Sequence, residues 1–147
     1  MFKFENVLTD IPFLLTGIPL TIGISLGAFI CGVFLALPMA VIRIARTTLI
    51  NQLTICWIEF FRTTPPLVHI VWIYYVFPVA FDLRFSAITV VVIALAANTS
   101  AQMAEIFRAG IQSIPRGQSE AGTVLGLNPW QRLRYIILPQ AVRLIMA

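Results

Sequence analysis

Residues 11–42 read IPFLLTGIPLTIGISLGAFICGVFLALPMAVI, without one Asp, Glu, Lys or Arg. A helix needs about 20 apolar residues to cross ~30 Å of hydrocarbon, and this stretch exceeds that. Working outward, two more uncharged runs follow, Thr63 to Phe81 and Phe85 to Ala104. The runs are continuously apolar rather than alternating, which argues against a closed β-barrel. The whole chain is 59% hydrophobic and 11% charged, with mean hydropathy +0.92; that balance lies outside the soluble globular range. The sequence therefore predicts an all-α polytopic membrane protein. One transmembrane domain covers residues 1–147, with three full spans and the start of a fourth over Arg132 to Ala147.

The basic balance of the chain, pI near 9.7, comes from arginines beside the apolar runs and does not describe a nucleic-acid surface. Arg43 and Arg46 follow the first run, and Arg108, Arg116, Arg132 and Arg134 follow the third, against Lys3 and Arg84 on the other side. The positive-inside rule then places the amino terminus outside and the segment after the third run in the cytoplasm. No cleavable signal peptide is evident, because Lys3 is mixed with Glu5 and Asp10 and the apolar run is too long. Cys31 and Cys56 are expected to be buried thiols acting as small apolar residues.

The first span is expected from about Ile11 or Ile18 to Ile42. Its G-x-x-x-G pair, Gly23 and Gly27, reads as a site of ordinary intramolecular helix packing. From Thr47 to Phe77 the pattern is helical but too long for one perpendicular crossing. Thr64-Pro65-Pro66 predicts a break, with the first half at the cytoplasmic boundary and the second entering the membrane. Val79 to Phe85 reads as an external loop. In the third span, about Ser86 to Phe107, Ala94, Ala97, Ala101 and Ala104 form a smooth face for close helix contact. Asn98, Gln102 and Glu105 form an adjacent polar face, which must look at protein or a wet cavity. Interhelical hydrogen bonding and a substrate path both remain open for it.

The second informative stretch is Gln118 to Pro139, QSEAGTVLGLNPWQRLRYIILP. Residues 115–139 predict a short cytoplasmic helix, a glycine stop and a second helix re-entering the membrane. Glu120 is expected in the first turn, where a carboxylate suits the positive helix end. Gly126 suits the left-handed residue after the last turn, with Leu127 as its apolar clasp. Asn128 then caps a new helix, Pro129 takes its first position and Gln131 completes a capping box. Ala121, Gly122 and Gly126 keep the short helix slim enough to seat in a groove of another protein.

This stretch resembles the coupling loop of ABC importer permeases, E-A-A, three residues, G, nine residues, I-x-L-P. Glu120, Ala121 and Gly122 fill the triplet, with Gly122 replacing the second alanine; Gly126, Ile136, Leu138 and Pro139 fill the rest. Trp57 to Pro78 resembles the E-x-F-R-G-T-P-x-L-V-Q segment of the polar amino-acid subfamily, with Thr63 for glycine and His69 for glutamine. Ala104 to Gly117 is similar to A-E-I-x-R-G-G-I-x-S-I-P-x-G, with Ala109 for the first paired glycine. The resemblance implies an importer permease subunit for polar amino acids in a bacterial inner membrane. It implies a second permease subunit, identical or homologous, two cytoplasmic ATPases and an extracytoplasmic solute-binding protein. ATP and Mg would be bound by the ATPases and no cofactor by this chain. Such permeases continue through further spans, so a C-terminally truncated chain is expected.

The chemistry agrees with a non-enzymatic role. The chain has no G-x-x-x-x-G-K-[ST] loop, Lys3 is its sole lysine and His69 its sole histidine, and no metal-ligand grouping stands out. The expected ATPase-coupling residues are Glu120, Ala121, Gly122, Gly126 and Leu127. The candidates for the substrate path are Glu59, Arg62, Thr64, His69, Asn98, Gln102 and Glu105. Glu59 and Arg62, three apart on a helix, are expected to pair, and His69 is expected to be a hydrogen-bonding lining residue rather than a proton relay. The alternative is an ion- or proton-coupled carrier or a small helical channel, which leaves the Glu120 to Pro139 pattern without a purpose. A non-transporting assembly factor is a third.

Overall fold

A computed structural model of the chain describes residues 4–45 and 48–146. Lys3 and Arg46, which enter the charge argument, lie outside the described residues, as does Ala147. The described residues form helices in the order α1 (Phe4–Ala45), α2 (Thr48–Thr63), α3 (Pro66–Val71), α4 (Phe77–Phe81), α5 (Ala87–Gln112), α6 (Arg116–Val124), α7 (Pro129–Arg132) and α8 (Leu138–Met146). A π-helical turn, Trp72–Val76, joins α3 to α4, and another, Leu133–Ile137, joins α7 to α8. Two helices are long and apolar enough to cross a membrane, at Leu15–Ile44 and Ala87–Gln112. A third span exists if the bent pair Leu49–Thr63 and Pro66–Phe81 counts as one.

The bend in that pair is 105°, at the predicted Thr64-Pro65-Pro66 break. Pro65 adopts φ −59° and ψ 139°, the extended conformation favoured before another proline. The external loop is shorter than expected, because α4 carries helix through Phe81. Asp82, at φ 54° and ψ 28°, ends it in the left-handed region, which Asp tolerates better than most residues. Both π turns end just before a proline. The Phe77 N–H reaches the Trp72 carbonyl and the Leu138 N–H reaches that of Leu133, each five residues back. Pro78 and Pro139 follow directly; proline brings no N–H and crowds the carbonyl four residues behind, and the wider turn relieves both problems.

Helix α5 is the central element. Ser86 caps it, accepting from the Thr89 N–H at 3.2 Å. The predicted alanine face holds: Ala94, Ala97, Ala101 and Ala104 are all buried. The partner surface on α1 is a stripe at four-residue steps, Ala28, Gly32, Ala36 and Ala40, also buried. A Cβ on Gly32 would stand 2.7 Å from the Thr99 Cβ and 3.0 Å from the Ala96 carbonyl oxygen. Small residues permit this close backbone approach, which supplies packing where lipid removes the hydrophobic driving force. Gly23 and Gly27 have open space around them, so Gly32 takes the packing role expected of that pair.

Ile58 of α2 and Ala36 of α1 meet Ala101 and Ala104 in one buried cluster, with Phe61, Met103 and Phe107 around it. A second cluster joins Ile73 to Val90 and Ala94. Helix α8 seats Ala141 against α5, where Gly110 makes room for Ile145; a Cβ there would lie 2.6 Å from the Ile145 side chain. Cys31 and Cys56 are exposed on this chain rather than buried, since each lies off its helix's packed stripe.

Candidate functional site: the loop helix and the polar face

The turn at Ile114-Pro115 leaves α5 with Pro115 extended at ψ 136°, and α6 begins at Arg116. Glu120 is therefore in the second turn of α6, not the first. The predicted dipole contact does not form, and no acidic residue occupies the first turn. The far end of α6 follows the reading closely. Gly126 sits at φ 74°, its N–H donates to the Thr123 carbonyl and the Leu127 N–H donates to the Gly122 carbonyl, both at 3.0 Å. That paired pattern is the Schellman stop. Asn128 accepts from the Gln131 N–H at 2.8 Å and the Gln131 side chain accepts from the Asn128 N–H at 2.9 Å, which starts α7 with Pro129 in its first turn.

The coupling candidates divide by face. Gly122 is buried, and a Cβ there would stand 2.8 Å from Ile136 Cδ1 and 2.9 Å from Arg132 Cγ. It lets α6 lie against the following helix and offers no surface to a partner. Leu127 is half-buried, while Glu120, Ala121 and Gly126 are exposed. Val124 at 88% and Leu125 at 75% exposure complete an apolar tip. The sequence reading left these two out, although two large apolar residues ahead of a helix-stopping glycine on a polar loop were a visible signal.

The polar candidates in the spans do not form one site. Asn98 donates to the Phe61 carbonyl at 2.6 Å and accepts from Gln102 Nε2 at 2.6 Å, so it is an interhelical tie between α5 and α2. Glu105 accepts from Arg108 Nε at 2.9 Å and faces Arg43 Nη2 of α1 at 3.5 Å. Arg108 also donates to Gln112. The expected Glu59–Arg62 pair does not form; the ion pairs among the described residues centre on Glu105. Arg62 instead lines a cavity of about 460 Å³ with Gln102, Glu105, Ile106 and Ala109.

Thr64 and His69 face a separate apolar cavity of about 350 Å³ inside the elbow, shared with Phe60, Phe61, Trp72 and Phe77. His69 is 4% exposed, with its ring 4.6 Å from that of Phe61 and 5.3 Å from that of Phe60, centre to centre. Neither ring nitrogen has a hydrogen-bond partner among the described residues, so the expected hydrogen-bonding role is not met by them. Glu59 is exposed and lines neither cavity. Among the described residues no three of His, Cys, Asp and Glu gather into a metal-holding group.

Residues 32–147 match a family described as the inner membrane component of binding-protein-dependent transport systems. The chain belongs to this family. It is similar to the glutamine transport system permease protein GlnP of Escherichia coli K12, 36% identical over 97% of this chain and 65% of that one. It is similar too to the probable amino-acid ABC transporter permease protein YckA of Bacillus subtilis, 34% identical over 99% of this chain and 64% of that one. A crystal structure of an amino acid ABC transporter with histidines superimposes with a TM-score of 0.88 at 34% identity, covering 99% of this chain and 68% of that one. The chain thus spans about 65% of the length of the curated relatives. Within this component, Val124 and Leu125 are large apolar residues exposed at the tip of a polar loop.

Proposed function

We propose that this chain is a membrane-spanning permease subunit of an ATP-driven importer for polar amino acids. The observation that carries the reading is α6: a short helix on a polar loop, stopped by the left-handed Gly126 and presenting Glu120, Ala121, Val124 and Leu125 to a partner. A partner ATPase grips this helix, and nucleotide-driven closure passes through it to the spans, switching the transport path between outward and inward access. ATP and Mg reside on that ATPase. A second permease subunit completes the path, and an extracytoplasmic binding protein delivers the substrate. The amino terminus lies outside and α6 in the cytoplasm, an orientation that the arginine distribution supports. Arg62, Gln102 and Glu105, around the polar cavity at the same end of α5 as the loop, are the path residues this reading retains.

Uptake of radiolabelled glutamine, glutamate, arginine and histidine into proteoliposomes tests the reading. The importer containing this chain is reconstituted with and without its ATPase and binding protein. Uptake requiring both proteins and ATP is the expected result. Uptake that persists without the ATPase, driven by an ion gradient, refutes it in favour of a coupled carrier.

A further inference from the structure

Helix α6 is joined to its two neighbours in different ways. Toward α5 it is joined through the extended Pro115 turn. Toward α7 and α8 it is tied along its length. Gln140 Nε2 donates to Gln118 Oε1 at 3.4 Å at its start. Midway, the Arg132 guanidinium donates to the Ser119 carbonyl at 3.4 Å and to the Thr123 hydroxyl. At its end, the glycine stop runs directly into the Asn128 capping box. The Arg132 stem crosses α6 at Gly122, and its Nε is enclosed by protein.

We infer that Arg132 and Gly122 are positioning residues that fasten α6 to α7–α8 as one rigid body, so that a push on α6 is delivered first to the helix after the loop. Gly122 is where this chain departs from the alanine of the resembling loop pattern, and the geometry gives the departure a purpose. An alanine methyl 2.8 Å from Ile136 Cδ1 and 2.9 Å from Arg132 Cγ forces these side chains to shift, and a shift of the arginine stem carries the guanidinium off its acceptors. The glycine and the arginine therefore work as a pair. The transmission step rests on the reading of α6 as the coupling helix; the strap itself does not.

The test compares Arg132→Ala, Gly122→Ala, the double variant and Arg132→Lys in the assembled, reconstituted importer. Hydrogen exchange of residues 118–124 reads the strap directly. Loss of a charge-assisted bond to α6 speeds local opening on the order of ten-fold. Arg132→Ala gives that acceleration, Gly122→Ala a smaller one because alanine's helix propensity offsets part of the loss, and the double variant is no faster than Arg132→Ala alone, because both changes remove one contact. Arg132→Lys, which reaches a single acceptor, restores part of the protection. Captured ATPase and ATP hydrolysis stay at wild-type level while uptake per ATP falls several-fold.

Unchanged exchange in Arg132→Ala, or additive effects in the double variant, overturns the strap. Accelerated exchange with unchanged uptake per ATP overturns the transmission role. Failure of the wild-type chain to capture any ATPase removes the coupling reading and transmission with it, while the exchange result still decides the strap.

Discussion

Replacing Gly126 by asparagine, alanine and valine separates backbone conformation from side-chain size at the end of α6. The residue sits at φ 74° and a Cβ there has no atom within 4 Å, so bulk costs nothing inside this chain and the whole penalty is conformational. An L-residue in the left-handed region costs roughly 1–2 kcal/mol, asparagine least because its side chain bonds locally. Alanine should therefore cost about 1 kcal/mol and valine, β-branched, about 2 kcal/mol or more. Those energies correspond to roughly 5-fold and 30-fold more frequent opening of the Schellman turn. Amide exchange at residue 126 and Leu127, whose N–H groups hold the Thr123 and Gly122 carbonyls, reads the opening directly. Exchange should rise in the order Gly, Asn, Ala, Val, and uptake per ATP should fall in the same order. Asparagine opening the turn as much as valine would refute the reasoning, since size and not backbone would then govern the position.

Gly32→Ala forces a methyl against the Ala96 carbonyl and Thr99; overpacking of this kind should cost about 1–3 kcal/mol and lower the thermal midpoint in detergent, whereas Gly27→Ala, in open space, should hold or raise it, since alanine is the better helix former. His69→Phe removes two buried nitrogens that have no partner among the described residues and keeps the ring between Phe60 and Phe61; stability should hold or rise by up to about 1 kcal/mol, with transport and its pH profile retained. Loss of transport in a stable His69→Phe variant would show a polar role in the elbow cavity. Glu105→Gln strands both Arg43 and Arg108 and should destabilise more than Arg43→Gln, by roughly 1 kcal/mol for these partly exposed pairs, measured by thermal unfolding of the single and double variants.

Much of this was legible in the sequence. The apolar runs announce the spans, Thr64-Pro65-Pro66 the break, and Gly126-Leu127-Asn128-Pro129 the stop and restart of helix, because each depends on local backbone chemistry. What depends on a neighbour was harder to read. The pair Gly23 and Gly27 has the same spacing as Gly32 and Ala36, and only the position of α5 decides which stripe is packed. Glu59 and Arg62 have the right separation to pair, yet Glu105 is met by Arg43 and Arg108 from two helices. Glu120 was misplaced by one turn because Pro115, with no capping side chain, starts α6 earlier than the polar pattern suggests. The π turns precede Pro78 and Pro139, where a proline's missing N–H is a local signal, but a π turn and a break answer it equally well.

The most direct test of the central claim is capture of the partner ATPase by the tagged, membrane-extracted importer, comparing wild type with Leu125→Asp and Gly126→Asp at the exposed end of α6. The account predicts capture by wild type and its loss in both variants, with yield and thermal midpoint of the membrane domain preserved. ATPase held equally by all three would contradict it, because the loop helix would then not be the contact.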